Sequence, residues 1–180
     1  MKMDEVKFVC LKCGGCCKDL LSSVGDDIAG LMLFPDEIKL FQKRNIKPCL
    51  AIGKSPTHGS FKIITYQFTK AICPYLKNNS CAIYQKRPLL CKGYPFTVSG
   101  DLLRQSVSFG VVPECTFIIE LREKNPNIRS HDFAYCDEIT ARLICMEKLL
   151  SYSILKHKKI KRWVYDLKTD KWKIDPRDKR

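Results

Sequence analysis

No stretch of this 180-residue sequence approaches the roughly 18 consecutive apolar residues of a membrane-spanning helix. No membrane partner is therefore expected. The opening residues, MKMDEVKFVC, include Asp4 and Glu5 and lack an apolar core, so no signal peptide is expected. Internal repeats and low-complexity tracts are absent, which sets aside repeat architectures and disordered segments. There is no glycine-rich loop of the kind that cradles nucleotide phosphates, which counts against a group-transfer enzyme with its own nucleotide site. Histidine is scarce, at three residues; His58 falls among Pro48, Gly53, Pro56 and Gly59 and reads as an exposed loop residue.

Cysteine is what the chain has in plenty. There are eleven, and the count is odd, which would leave one thiol outside any set of disulfides. Cys16 and Cys17 are adjacent and cannot comfortably bridge each other. A reducing, cytoplasmic setting and metal binding are therefore expected ahead of a disulfide scaffold. Four of the thiols fall in Cys10-Leu11-Lys12-Cys13-Gly14-Gly15-Cys16-Cys17. Cys-x-x-Cys spacing lets one turn of chain aim two sulfurs at one point, as a tetrahedral ion or an iron–sulfur cluster requires. Gly14 and Gly15 permit backbone angles that a side chain would forbid.

A second region, Cys73 to Phe96, supplies Cys73, Cys81 and Cys91. These are spaced too widely for a zinc-ribbon knuckle, which disfavours the ribbon fold and its nucleic-acid reading. Cys10, Cys13 and Cys16 match three positions of the bacterial ferredoxin run, and Cys73-Pro74 matches its remote cysteine followed by proline. That arithmetic permits one 4Fe-4S cluster, with Cys17, Cys81 and Cys91 left over. It equally permits two zinc ions, with an eighth ligand from Cys49, Cys115 or a histidine. Thiolate-rich sites suit both. The isolated Cys49, Cys115, Cys136 and Cys145 read as core residues, since free cysteine is commonly buried. Lys12, Lys18, Arg87 and Lys92 adjoin the clustered thiols in sequence and can offset their charge. Structural zinc contributes roughly 10–16 kcal/mol of apparent binding free energy, as much as the roughly 5–15 kcal/mol of a whole domain. A metal is therefore expected to be required for the fold of residues 1–100.

The length suits one small α+β domain of metal-stabilised cysteine-rich loops with a few helices, short strands and a C-terminal hairpin. Residues 1–155 form the expected cysteine-cluster metal-binding domain, and 156–180 a basic hairpin or tail. Pro35-Asp36-Glu37 reads as the start of a helix over 35–44, 46–60 as loop and 61–68 as a strand. Asn78-Asn79-Ser80 reads as a turn, Cys81–Tyr84 as a short strand and Pro88–Cys91 as one helical turn. A strand is expected over 107–112 and a helix over 114–122. The longest helix is expected at 137–155, capped by Asp132 or Asp137, with Ile139, Leu143, Met146, Leu149 and Leu150 at helical spacing. Lys161–Ile174 reads as a hairpin turning at Lys168-Thr169-Asp170. Net charge is +13; Lys156 to Arg180 hold eleven lysines and arginines against four aspartates.

CLKCGGCC at 10–17, with Cys73-Pro74, Cys81-Ala82-Ile83-Tyr84, Arg87-Pro88, Cys91 and Tyr94-Pro95-Phe96, resembles the CxxCxxCC family over about residues 8–117. These are small cysteine-cluster proteins described as zinc- or iron-chelating. The resemblance implies chelation by Cys10, Cys13, Cys16, Cys17, Cys73, Cys81 and Cys91. The pattern is also similar to that of the larger flagellin lysine N-methylases.

Three functions follow as expectations. The first is a cytoplasmic metal-binding protein chelating an iron–sulfur cluster or zinc, in a redox, carrier or structural role. The second is a cluster-dependent lysine N-methyltransferase-like enzyme acting on a protein substrate. In it Tyr84, Arg87 and Tyr94 either line a polar pocket or brace the cluster loops. The third is an RNA-binding accessory protein whose tail lysines contact phosphates while Trp163, Tyr165 and Trp172 stack bases. A solvated basic face is the plainer alternative for that tail.

Overall fold

The computed structural model describes residues 7–24, 26–101, 106–133, 136–154 and 160–176. In chain order the strands and helices are β1 (Ser22–Val24), β2 (Asp27–Ala29), β3 (Leu31–Leu33), β4 (Ile46–Gly53), β5 (Lys62–Phe68), β6 (Leu76–Lys77) and β7 (Ser80–Cys81). There follow α1 (Leu89–Lys92), β8 (Phe96–Asp101), β9 (Ser106–Val111), α2 (Thr116–Lys124), α3 (Asp137–Ile154), β10 (Lys161–Asp166) and β11 (Lys171–Ile174). The architecture is α+β, and every strand pairing is antiparallel. Among the described residues no helix is long and apolar enough to cross a membrane. The expected boundary at 155/156 lies outside the described residues.

The chain builds two compact units, each from two stretches. One, called here the cysteine unit, comprises Met1–Lys18 and Pro74–Leu150; the other, the sheet unit, comprises Asp19–Cys73 and Ser151–Arg180.

In the sheet unit five strands run in the order β11-β10-β4-β5-β3. The β-branched and aromatic run expected at 61–68 is β5. The segment expected as loop over 46–60 is instead mostly β4. Its Pro48 is accommodated because the β4–β5 register shifts between Pro48 and Leu50, and a proline at a bulge removes no ladder hydrogen bond. The expected helix at 35–44 is replaced by two 3-10 turns, Ile38–Leu40 and Lys43–Asn45. Between them Phe41 is extended, at φ −123° and ψ 157°, and lays its ring on Phe68 with centroids 4.6 Å apart. Burying two phenylalanines against the sheet outweighs one further helical turn.

The hairpin expected at 161–174 is present as β10 and β11. Asp166 organises its turn, accepting from the Thr169 hydroxyl at 2.6 Å and from the backbone N–H groups of Lys168 and Thr169. Its other contacts are the Ile28 N–H at 3.1 Å and Lys173 at 3.0 Å. The Thr169 hydroxyl first, then these remaining donors, holds its carboxyl well below the usual carboxylate range despite burial.

Gln67 is fully buried and ties three segments together. Its Oε1 accepts from Gly30 N–H at 2.7 Å, and its Nε2 donates to the Pro48 and Tyr165 carbonyls at 2.7 and 3.0 Å. Gln67→Leu keeps the bulk and orphans three buried backbone groups. At about 1 kcal/mol or more for each, we expect a loss of about 3 kcal/mol, or about 8 °C in thermal midpoint. Chemical denaturation checks it; a loss under about 1 kcal/mol would show the three groups to be satisfied in other ways.

The cysteine unit packs around Phe8, Phe96, Ile118, Phe133 and Ile139 together with Cys115 and Cys136. Phe8 meets Phe96 and Phe117 edge-on, at 6.1 and 5.1 Å. The long helix falls where its apolar spacing placed it, with Ile139 and Cys145 buried. Asp137 occupies its first turn, where acid complements the helix dipole. Asp132 does not cap α3; it accepts from the Arg129 N–H at 2.7 Å within the preceding 3-10 turn. The expected strand at 107–112 is β9, paired with β8, and the expected helix at 114–122 is α2.

Candidate metal centre

The loop bearing the first four thiols has one 3-10 turn, Gly15–Cys17, and is otherwise irregular from residue 7 to residue 20. Two hydrogen bonds close the turn: Cys17 N–H to the Gly14 carbonyl at 3.0 Å and Lys18 N–H to the Gly15 carbonyl at 3.1 Å. The chain enters it through Gly14 at φ +73°, a left-handed conformation that glycine adopts without penalty. Gly14 also lies hard against β6 and β7. A Cβ there would sit 2.8 Å from the Leu76 side chain and 3.1 Å from the Asn79 carbonyl oxygen. Asn78 and Asn79 turn that hairpin with positive φ at both positions, as a tight two-residue turn requires. Lys18 Nζ reaches the Asn79 side chain at 3.1 Å. The loop and the hairpin that carries Cys81 are thus fastened to each other at two points.

Cys13 is exposed, Cys10 and Cys16 are half-buried and Cys17 is buried. Cys13 stands at the N-terminus of α2. The Thr116 hydroxyl, first, and the Gly15 backbone N–H hydrogen-bond its sulfur and draw its pKa below the usual thiol value. Cys16 is close enough to oppose that shift. Tyr94 stands in the same neighbourhood. Burial pushes its hydroxyl well above the usual phenol range, and the sulfurs of Cys115, Cys16 and Cys13 push it further. The Tyr94 hydroxyl donates to the Cys115 sulfur, whose own pKa is raised mainly by burial. Cys13, Cys16 and Cys115 therefore share the surroundings of one phenol.

Cys10 shares the surroundings of Tyr84, where burial raises the phenol pKa, Arg87 opposes the rise, and Cys10 and Glu138 add to it. The Arg87 guanidinium lies 3.7 Å over the Tyr84 ring, and its Nε donates to the Tyr84 carbonyl at 2.8 Å. Glu138, in the first turn of α3, adds a half-buried carboxyl raised by burial. Cys91, on α1, falls within electrostatic reach of Arg142 on α3. Arg142 Nε donates to the Gly93 carbonyl at 3.2 Å. A Cβ on Gly93 would come within 2.6 Å of the Arg142 side chain, so only glycine admits this brace. Tyr84, Arg87 and Tyr94 are each engaged with these neighbours.

Nine of the eleven thiols belong to the cysteine unit, whereas Cys49 and Cys73 belong to the sheet unit. Cys49 is buried in β4, and Cys73 is half-buried. Cys115, Cys136 and Cys145 are buried, as isolated cysteines are expected to be. His58 is exposed and pairs with Ser60 Oγ at 2.8 Å. Among the described residues no three His, Cys, Asp or Glu side chains stand in an arrangement ready to hold a metal ion. The donor set itself fits a thiophilic metal, being sulfur-rich, partly exposed and flanked by hydroxyl donors and cations. Thr116, Glu138 and Arg142 were not anticipated from the sequence. Thr116 follows Cys115 at the expected start of a helix and was within reach of sequence reasoning; Arg142 gives no sequence signal at all.

The family model CxxCxxCC, "Putative zinc- or iron-chelating domain", matches residues 9–123. No curated protein and no solved structure matches the chain.

Proposed function

Since the chain belongs to the CxxCxxCC family, we propose that it holds an iron–sulfur cluster or zinc through Cys10, Cys13, Cys16, Cys17, Cys81 and Cys91. Cys115 stands beside them as a further ligand. Cys73 is included on its Cys-Pro pattern alone. The bound group serves a redox, carrier or structural role.

The observation that carries this reading is the setting of Cys13. Its thiol is exposed, receives a hydroxyl and a backbone N–H, and has Cys16 and Cys115 close by. The thiolate is the ligating form of cysteine, and donors aimed at the sulfur favour it. Thr116 and Tyr94 hold the Cys13 and Cys115 sulfurs from outside. Hydrogen bonds of this kind tune affinity and, for an iron–sulfur cluster, potential. Arg142 and Arg87 fix the surroundings of Cys91 and Cys10 and offset thiolate charge. When bound, zinc would supply a clamp or Lewis acid, and a cluster would supply one-electron transfer.

Metal and acid-labile sulfide analysis of protein purified without oxygen, with its visible spectrum, tests the proposal. We expect about one zinc or one iron–sulfur cluster per chain, or more, falling by at least about half in Cys13→Ser. Protein carrying neither zinc nor iron above trace amounts would overturn it.

A further inference from the structure

The sheet unit carries features that the thiols do not explain. Its two stretches hold eighteen lysines and arginines against nine aspartates and glutamates, so most of the net +13 charge lies there. Its C-terminal hairpin also carries a row of rings. Tyr165 lies opposite Trp172, and Trp163 opposite Ile174. Cross-strand partners and residues two apart along a strand share a face, so Trp163, Tyr165 and Trp172 stand on one side of the sheet. Phe61 adds a fourth ring, edge-on to Trp172 at 5.0 Å and to Trp163 at 6.3 Å. Tyr165 meets Trp172 edge-on at 5.1 Å. The Trp163 indole N–H is fixed on the Gly53 carbonyl at 3.0 Å. None of the four rings is buried, and β11 is the last strand of the sheet. The row is thus held in place and partly open to solvent.

The charges around the row divide into two groups. Lys47 pairs with Asp170, Arg162 with Asp175, and Lys173 with Asp27 and Asp166. Lys54, Lys161, Lys168 and Lys171 are exposed and form no ion pair with any described residue. Lys161 stands on the ring face, opposite Gly53, and Lys54 directly follows Gly53. Lys168 lies in the hairpin turn, at the other end of β10, whereas Lys171, opposite Asp166, stands on the other face of the sheet. Uncommitted cations therefore flank a row of fixed rings at both ends.

A ligand that matches both features is a polyanion presenting flat π faces. Duplex DNA stacks its bases away, and acidic polysaccharides have no such faces. We propose that this face binds single-stranded nucleic acid, with phosphates on Lys54, Lys161 and Lys168 and bases stacked on Trp163, Tyr165 and Trp172.

Trp163 and Trp172 are the only tryptophans of the chain, so intrinsic emission of the full-length protein reads this face alone. Titration with an oligouridylate or oligothymidylate of about 12 nucleotides at low salt is expected to quench that emission. Affinity should fall with salt at a log–log slope of about −2, as expected for three phosphate contacts. By anisotropy of a labelled oligonucleotide, Trp172→Ala should weaken binding about tenfold, and Trp172→Phe, which keeps a ring, much less. Lys161→Gln should flatten the salt slope by about 0.7. The proposal fails if no quenching occurs at low salt. It fails equally if heparin, a polyanion without bases, competes as well as the oligonucleotide and Trp172→Ala and Trp172→Phe both bind like wild type. It fails too if vesicles of anionic lipid blue-shift the tryptophans while oligonucleotides leave them unchanged, since the face would then be a membrane-surface site.

Discussion

Stripping the anaerobically purified protein of metal with a strong chelator is expected to lower its thermal midpoint by about 20 °C or more. The loop from residue 7 to residue 18 has one 3-10 turn and no strand or longer helix to hold it. It is retained by Phe8 in the aromatic core, by Gly14 against β6 and β7, and by the Lys18–Asn79 hydrogen bond. A few such contacts are worth only a few kcal/mol. A thiolate-bound metal contributes roughly 10–16 kcal/mol in small peptides, against total stabilities of roughly 5–15 kcal/mol. Circular dichroism with and without chelator measures the difference. A Cys13→Ser, Cys16→Ser double variant should begin with the low midpoint and show no chelator response. If the wild-type midpoint stays put after verified metal loss, the metal does not support the fold.

Gly14→Val is expected to reduce retained metal at least about tenfold and to cost about 4 kcal/mol of stability. Two penalties add. A β-branched residue at φ +73° is strained, and its Cβ would meet Leu76 and the Asn79 backbone at 2.8 and 3.1 Å. The neighbouring glycine provides the control. A Cβ on Gly15 would have only the Cys13 sulfur nearby, at 3.7 Å, an ordinary contact. Gly15→Val should therefore cost less than about 1 kcal/mol, because the position is exposed and strain-free. Metal analysis and denaturation of both variants decide the matter; equal behaviour would mean that the loop is not anchored through Gly14.

Spacing placed Cys10, Cys13, Cys16 and Cys17 together on one short loop, and that much was legible in the sequence, because residues close in sequence are brought together by local turns. The same holds for the Asn78-Asn79 turn and for α3, whose apolar period is long and regular. β4 was not legible. Pro48 punctuates sequence in the manner of a loop, and only the bulge opposite Tyr66 and Thr65 explains why a strand tolerates it. The 35–44 segment carries an authentic helical pattern that loses to the Phe41–Phe68 contact across the fold. Cys115 reads as an ordinary buried cysteine because burial and ligation leave the same mark on an isolated thiol. Its link to Cys13 and Tyr94 exists only once α2 is placed. Arg142 acts on Gly93, 49 residues away, and no local pattern encodes that distance.

The order in which the chain emerges from the ribosome now has a physical meaning. The central partner of β4 on one side is β10, residues 161–166, and it is synthesised only after the entire thiol-bearing half has been made. Gln67 and the Ile28 amide likewise wait for Tyr165 and Asp166 to complete their hydrogen bonds. α3 is finished by Ile154. The nascent polypeptide can therefore complete the segments of the cysteine unit while β4 is still short of its neighbour, and closure of that sheet waits for residues 161–166.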